Sequence, residues 1–247
     1  MDLSKLNNKI VGGSEVEPGS LPYMVAIFMN NTNGENKFHC GGTVISSHHV
    51  LTATHCVTGD RFTVVAGAHN LTAITPIQVT VGVAEVTVHE LFYWFDNSAI
   101  PVNDIALLRV AEPLVLGSGV DALKVPEQDQ DSGDDSLYSG WLGINTGGQE
   151  GGPLSSVLMS TEIPVVEQQY CIDSYGLHIT PTMMCAGYPL GQYDACGGDS
   201  GGPLVCDGLL QGIMSWGEGC GQSVYFGVYT RVAFFSDWIE KHNYIPQ

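Results

Sequence analysis

The apolar residues of this chain come in runs too short for anything but strands. Stretches such as 23–29, 62–66, 77–88 and 105–110 alternate or run apolar over strand lengths, with Gly, Asn and Asp punctuating the gaps. Repeated along 247 residues that also hold 31 Gly and 12 Pro, this pattern builds sheets joined by tight turns, not long helices. Only 232–242 sets apolar residues at helical spacing, through Val232, Phe235, Trp238 and Ile239, so one C-terminal helix packed on the body is expected. There is no internal repeat. A hydrophobic content of 44% over this length suffices for one core, or for two small β-domains sharing a cleft.

Eight Lys+Arg stand against 26 Asp+Glu, a formal charge of −18. A field of that sign repels phosphate backbones and anionic lipid, so neither nucleic acid nor membrane is an expected partner, and cationic partners are favoured. The same acidity keeps an extracellular protein in solution. No apolar stretch approaches the about 20 residues needed to cross a bilayer, and the opening MDLSKLNNK lacks the apolar centre of a signal peptide. The expectation is a secreted, extracellular protein whose signal has been removed or replaced by Met1. Seven cysteines suit an oxidising compartment, and the odd count leaves at least one thiol without an internal partner. Residues 1–9 are polar and irregular, and the sequence changes character at Ile10-Val11-Gly12-Gly13. The segment 127–135, EQDQDSGDD, is acidic with almost no apolar content and reads as a solvated connection between two halves, their boundary near 112–136.

Peptide hydrolysis without a metal requires a nucleophile, a base to take its proton, an acid to orient the base, and donors for the oxyanion. Ser200 lies in Gly197-Gly198-Asp199-Ser200-Gly201-Gly202-Pro203, where small residues let main-chain N–H groups converge beside a hydroxyl. His55 follows the apolar run Leu51-Thr52-Ala53-Thr54 and precedes Cys56, a setting that can hold an imidazole rigidly at a cleft wall. Asp104 opens the buried strand Ile105-Ala106-Leu107-Leu108. Singly, His55 reads equally well as structural and Asp104 as a strand-end cap; together with Ser200 they read as one reacting set.

The motifs IVGG, TATHC, NDIALL, GGDSGGP and SWGEGCG occur in the order and spacing of the chymotrypsin-like serine peptidases, and the chain most resembles the trypsins, from Ile10 to about Asn243. The resemblance implies a mainly β fold of two six-stranded antiparallel β-barrels with a C-terminal helix and the active site in the cleft between them. It implies an activation peptide, 1–9, ahead of a peptidase domain, 10–247. In that family's scheme Ser200 attacks, His55 is base and then acid, Asp104 fixes the imidazole, and the backbone N–H groups of Gly198 and Ser200 form the oxyanion hole. Cleavage of Lys9-Ile10 would free an α-amino group on Ile10 to pair with Asp199. Asp194 matches the base of the primary pocket that takes Arg or Lys, since a buried carboxylate wants a cation. Gly217 and Gly227 match its walls, and Ser215-Trp216-Gly217 would pair with substrate backbone. The implied partners are protein or peptide substrates and protein inhibitors of such enzymes; a monomer without cofactor is expected.

The same pattern pairs Cys40 with Cys56, Cys171 with Cys185 and Cys196 with Cys220. It leaves over Cys206, whose usual partner position corresponds to Ser136. Leu142 replaces a glycine next to where Ile10 would insert, Met214 stands where a smaller branched residue lines the pocket, and Gly197 replaces a long polar side chain at its rim. Ala68, Thr75 and Gln78 occupy positions that are glutamates in calcium-binding trypsins, so no metal is expected there. Asn30-Asn31-Thr32 and Asn70-Leu71-Thr72 are acceptable glycosylation sequons. Two rival readings are a non-catalytic homologue using the fold for binding and a peptidase of other specificity. The intact His55, Asp104 and Ser200 disfavour the first, and Asp194 disfavours the second.

Overall fold

The computed structural model describes residues 13–30, 36–59, 61–95, 98–117, 119–131, 135–140, 155–190, 199–219 and 224–243. Among them the strands are, in chain order, β1 (Ser14–Glu15), β2 (Met24–Asn30), β3 (Asn36–Val44), β4 (His49–Thr52), β5 (Phe62–Ala66), β6 (Val79–Val88), β7 (Tyr93–Trp94) and β8 (Pro101–Val102). They continue with β9 (Ala106–Val110), β10 (Asp135–Gly140), β11 (Met159–Val166), β12 (Met183–Ala186), β13 (Pro203–Cys206), β14 (Leu209–Trp216) and β15 (Gly227–Arg231). Two α-helices, α1 (Gln168–Tyr175) and α2 (Ser236–His242), complete the set.

The first half closes as a six-stranded barrel in the order β2-β3-β4-β9-β6-β5. Its strands carry the apolar alternation read from the sequence, and Val25, Ile27, Val44, Leu51, Val64 and Leu107 fill one cluster at its centre. The second half also brings together the expected six strands, running β11-β10-β13-β14-β15-β12 and back to β11, with one further strand added at an end. It is a seven-stranded sheet in the order β1-β11-β10-β13-β14-β15-β12, curled back on itself where Val165 and Val166 of β11 also pair with Ala186 and Cys185 of β12. The additional strand is β1, whose two residues pair with Ser160 and Met159 at the other end of β11. The hairpin β7-β8 stands outside both sheets and leads directly to Asp104.

The C-terminal segment is a single 3-10 stretch, Val232–Phe235, running into α2, where the sequence suggested one helix. Val232, Phe235 and Ile239 leave the second sheet and bury into the cluster of the first barrel, together with Leu210 and Ile213 of β14. At about 1.5–3 kcal/mol for each large apolar side chain withdrawn from water, these contacts fasten the halves together. The acidic segment is exposed to solvent at each of residues 127–131, as a solvated connection should be, and is also tied to the body by polar contacts. Asp129 N–H donates to Ala233 O at 2.9 Å, the Gln128 amide donates to Phe234 O at 3.1 Å, and Asp131 sits 3.6 Å from Arg231. The signal of low apolar content was real, but side-chain amides and main-chain groups held the segment down without a hydrophobic anchor.

Candidate active site

The imidazole of His55 is carried on a 3-10 turn, Thr54–Val57, that follows β4. Three ties fix this turn. Cys56 is bonded to Cys40 of β3 with the Cα atoms 6.1 Å apart, the Thr54 hydroxyl donates to Ile105 O at 2.7 Å, and the His55 N–H donates to Asp104 Oδ1 at 2.9 Å. Asp104 is presented by a tight turn in which Asn103 takes φ of 54° and its side-chain amide donates to Leu91 O at 2.7 Å. A left-handed residue is best tolerated as Asn outside Gly, which accounts for the Asn-Asp order here.

Asp104 is 1% exposed, and a carboxylate so withdrawn from water needs donors. It has three: the His55 N–H on Oδ1, the His55 ring Nδ1 on Oδ2 at 2.7 Å, and the Ser215 hydroxyl on Oδ2 at 2.6 Å. Its own carbonyl accepts the Thr230 hydroxyl at 2.7 Å. With Nδ1 donating to the carboxylate, the lone pair of the neutral ring is at Nε2, which lies 3.8 Å from Cys56 Sγ on a side chain that is 19% exposed. Ser215 reaches Asp104 because β14 and β15 slip register between Met214 and Trp216, a bulge that re-aims the intervening side chain.

Ser200 sits on a turn sewn to both halves. Its carbonyl accepts the Gly41 N–H of β3 at 2.8 Å, Gly201 N–H donates to Met214 O at 2.8 Å, and Gly202 N–H donates to Asp199 O at 2.9 Å. Gly41 O in turn accepts the Thr52 hydroxyl at 2.9 Å, two residues before the turn that carries His55 begins. Gly201 takes φ of 79°, and a side chain there would strike the Thr52 hydroxyl and Gly41 O, so only glycine lets the turn approach this closely. Asp199 is 1% exposed, and its carboxylate lies where a Cβ on Gly140 would come within 2.5 Å.

Of the other residues singled out in the sequence, Trp216 is half-buried, and Gly217 faces Gly227, a Cβ on the former standing 3.9 Å from Cα of the latter. Met214 is buried in a cluster with Met159, Ile163, Met184, Leu204 and Tyr229, so its side chain is taken up by the second sheet. Cys171 and Cys185 are bonded, with Cα atoms 5.8 Å apart. Cys206 is 1% exposed, and the pairing of Leu137 with Val205 puts position 136 opposite it, one step along the same register. Lys9, Ile10, Leu142, Asp194, Cys196, Gly197, Gly198 and Cys220 lie outside the described residues.

Four contributors escaped the sequence reading: the hydroxyls of Ser215, Thr54 and Thr230, and Tyr175, which donates to Phe226 O at 2.6 Å and packs its ring 4.9 Å from Trp216. The usable signal was a hydroxyl in an otherwise apolar strand, as in Ile213-Met214-Ser215-Trp216, because a buried polar group requires a partner. His55, Cys40 and Cys56 offer ligand atoms within 4.8 Å of one another, but two sulfurs bonded to each other present no thiolate to a metal. His39, which precedes Cys40 as His55 precedes Cys56, is held below the usual histidine range by burial and, less strongly, by the neighbouring His55.

A buried acid, an imidazole it orients and a serine on a glycine-bound turn are the parts of acyl transfer, and comparison with known proteins agrees. The family model described as Trypsin matches residues 10–239. Pig (Sus scrofa) trypsin is 36% identical over 95% of this chain and 96% of its own length, and the anionic trypsin of the dog (Canis lupus familiaris) is 38% identical over 95% and 90%. Among solved structures, neuropsin, a serine protease expressed in the limbic system of mouse brain, superposes with a TM-score of 0.83 at 34% identity, covering 94% of this chain and 99% of its own. The chain therefore belongs to the trypsin family and is a serine endopeptidase.

Proposed function

We propose that this peptidase is a secreted zymogen which, once cut between Lys9 and Ile10, hydrolyses peptide bonds after Arg or Lys. The observation that carries the reading is the buried Asp104 with its three donors, two of them from His55. Held by Nδ1, the imidazole keeps its Nε2 lone pair for the Ser200 hydroxyl. Attack of Ser200 Oγ on the substrate carbonyl passes its proton to Nε2, and the imidazolium is stabilised by the carboxylate it already touches. The carbonyl oxygen becomes an oxyanion, met by the backbone N–H groups of Ser200 and Gly198. Collapse expels the amine, which takes the proton from Nε2. Water then repeats the cycle on the acyl-enzyme, with His55 again base and then acid.

Selectivity in this reading rests on Asp194 at the pocket base, between walls of Gly217 and Gly227. An apolar substrate side chain would leave that carboxylate unpaired, whereas a guanidinium meets it in two parallel hydrogen bonds, so Arg is preferred over Lys. Activation rests on Asp199, buried against Gly140, where the new ammonium of Ile10 would neutralise it. Disulfides among the described residues support an oxidising destination. Among partners, protein inhibitors shaped to the same cleft and a monomeric state belong to this reading. The test compares kcat/KM on peptides differing only at the residue before the scissile bond, using the protein before and after cleavage at Lys9-Ile10 and its Asp194→Ser variant. The reading fails if cleavage leaves activity unchanged, if Tyr or Leu serves as well as Arg, or if Asp194→Ser keeps the Arg preference.

A further inference from the structure

Between α1 and the segment leading into β15, the surface folds into a cavity of about 710 Å³, a size suited to small organic molecules. One wall is a single face of α1, where Tyr170, Asp173 and Ser174 follow at i, i+3 and i+4 and so stand over one another. The facing wall is Val224, Tyr225 and Phe226. Cys171 is the only buried residue of α1, so this face is not spent on the core. Tyr170 is 59% exposed and Val224 61%, which leaves apolar surface in water within a concavity. Asp173 supplies the sole charge among the lining residues, its Oδ1 accepting the Gln169 amide at 2.8 Å.

We propose that this cavity is a binding site for a hydrophobic organic cation. Its apolar body would lie against Val224 and the rings of Tyr170, Tyr225 and Phe226, and its charged head would lie between the Asp173 carboxylate and the tyrosine faces. Aromatic faces attract cations, and a protein of formal charge −18 concentrates them at its surface.

Occupancy is tied to the substrate side of the sheet. Val224 holds φ of 67°, a left-handed conformation that a β-branched residue keeps only under constraint, and its N–H donates to Pro189 O at 3.0 Å. Phe226 immediately precedes Gly227, and its carbonyl is held by the Tyr175 hydroxyl. The Tyr175 ring lies 5.4 Å from Tyr225 and 4.9 Å from Trp216. A ligand bearing on Tyr225 and Phe226 therefore bears on Trp216 and Gly227. This coupling, unlike the binding itself, rests on the proposed role of those two residues in substrate binding.

The test is calorimetric titration of the full chain with methyltriphenylphosphonium, a cation too broad for a pocket that admits one unbranched side chain, and with the neutral triphenylphosphine oxide. Wild type, Asp173→Asn and Ser174→Trp are compared, and Tyr170→Ala stands in if Ser174→Trp does not fold. Wild type is expected to bind the phosphonium saturably. Ser174→Trp, which fills the space, abolishes binding, or Tyr170→Ala weakens it. Asp173→Asn weakens it about two- to fivefold, the range open to an exposed charge pair, and the neutral oxide binds more weakly and ignores that change. Absence of saturable binding, indifference to Ser174→Trp or to its Tyr170→Ala substitute, or equal affinity for the oxide overturns the site. In the cleaved enzyme, saturating phosphonium should alter KM for a small Arg substrate in wild type but not in Ser174→Trp or Tyr170→Ala. An unaltered KM overturns the coupling. A protein that binds the phosphonium but cuts no Arg peptide overturns the specificity reading and leaves the site standing.

Discussion

Ser215→Ala removes one atom from the site and isolates the part of its chemistry that the sequence concealed. The hydroxyl donates to Asp104 Oδ2 at 2.6 Å in a place where the carboxylate is 1% exposed and Ser215 itself 7%. Water cannot readily replace it there. A hydrogen bond to a charged group is worth about 1.5–3 kcal/mol, and the missing oxygen leaves too small a space for a cavity penalty to matter. At about 2–4 °C per kcal/mol for a chain of this size, the thermal midpoint should fall by about 3–12 °C. Activity should respond as well. With one of its three donors gone, the carboxylate holds the His55 ring less firmly, so kcat on a single peptide should fall. Calorimetry gives the midpoint, and steady-state kinetics give kcat. Ser215→Thr, which keeps the hydroxyl, should restore kcat even if crowding costs stability. A Ser215→Ala enzyme with both the wild-type midpoint and the wild-type kcat would refute the claim that this bond holds the carboxylate.

Gly201→Ala should abolish active-site titration and lower the denaturation midpoint, because a positive-φ position costs about 1–3 kcal/mol before the clash with Thr52 and Gly41 is added; an active, stable variant would show that the turn can move. Tyr175→Phe should raise KM by up to about tenfold while sparing kcat, since it loses the neutral bond to Phe226 O and the weaker one accepted from Glu218 N–H, and none near the reacting atoms. An unchanged KM would detach that ring from substrate binding. His39, His49 and His89 all titrate below the ordinary value of 6.5, each chiefly because of burial. The unfolded chain therefore takes up protons that the folded one refuses, and stability, complete above pH 6.5, is lost as pH falls through and below that value. Thermal midpoints should decline between about pH 7.5 and about pH 5.5, less steeply in His49→Gln; a flat profile would contradict the burial of these rings.

Strand positions were legible because half-buried strands write alternation into sequence. The stretches 62–66 and 105–110 fall on Phe62–Ala66 and Ala106–Val110 within a residue. α1 was not legible, since burying only Cys171 leaves no stripe to detect. Nor was β1, two exposed residues whose placement comes from β11 and not from their own character. At the site, His55, Asp104 and Ser200 stood out through the motifs around them. What holds them together did not, because Ser215, Thr230 and Gly41 act across sequence separations of 111, 126 and 159 residues. Such contacts depend on which strand edges meet, and no local pattern records that.

The carboxylate of Asp104 lies on a seam. His55, which it orients, hangs from the first barrel, while the Ser215 and Thr230 groups that hold the aspartate, and the turn bearing Ser200, belong to the second sheet. Neither half owns a complete set. Any fluctuation that parts the two sheets disarms the enzyme while each sheet is still folded, so loss of activity on heating should run ahead of loss of structure. For a peptidase this order is protective. The molecules that begin to come apart, and so become digestible, would have their remaining neighbours disarmed at the same temperature.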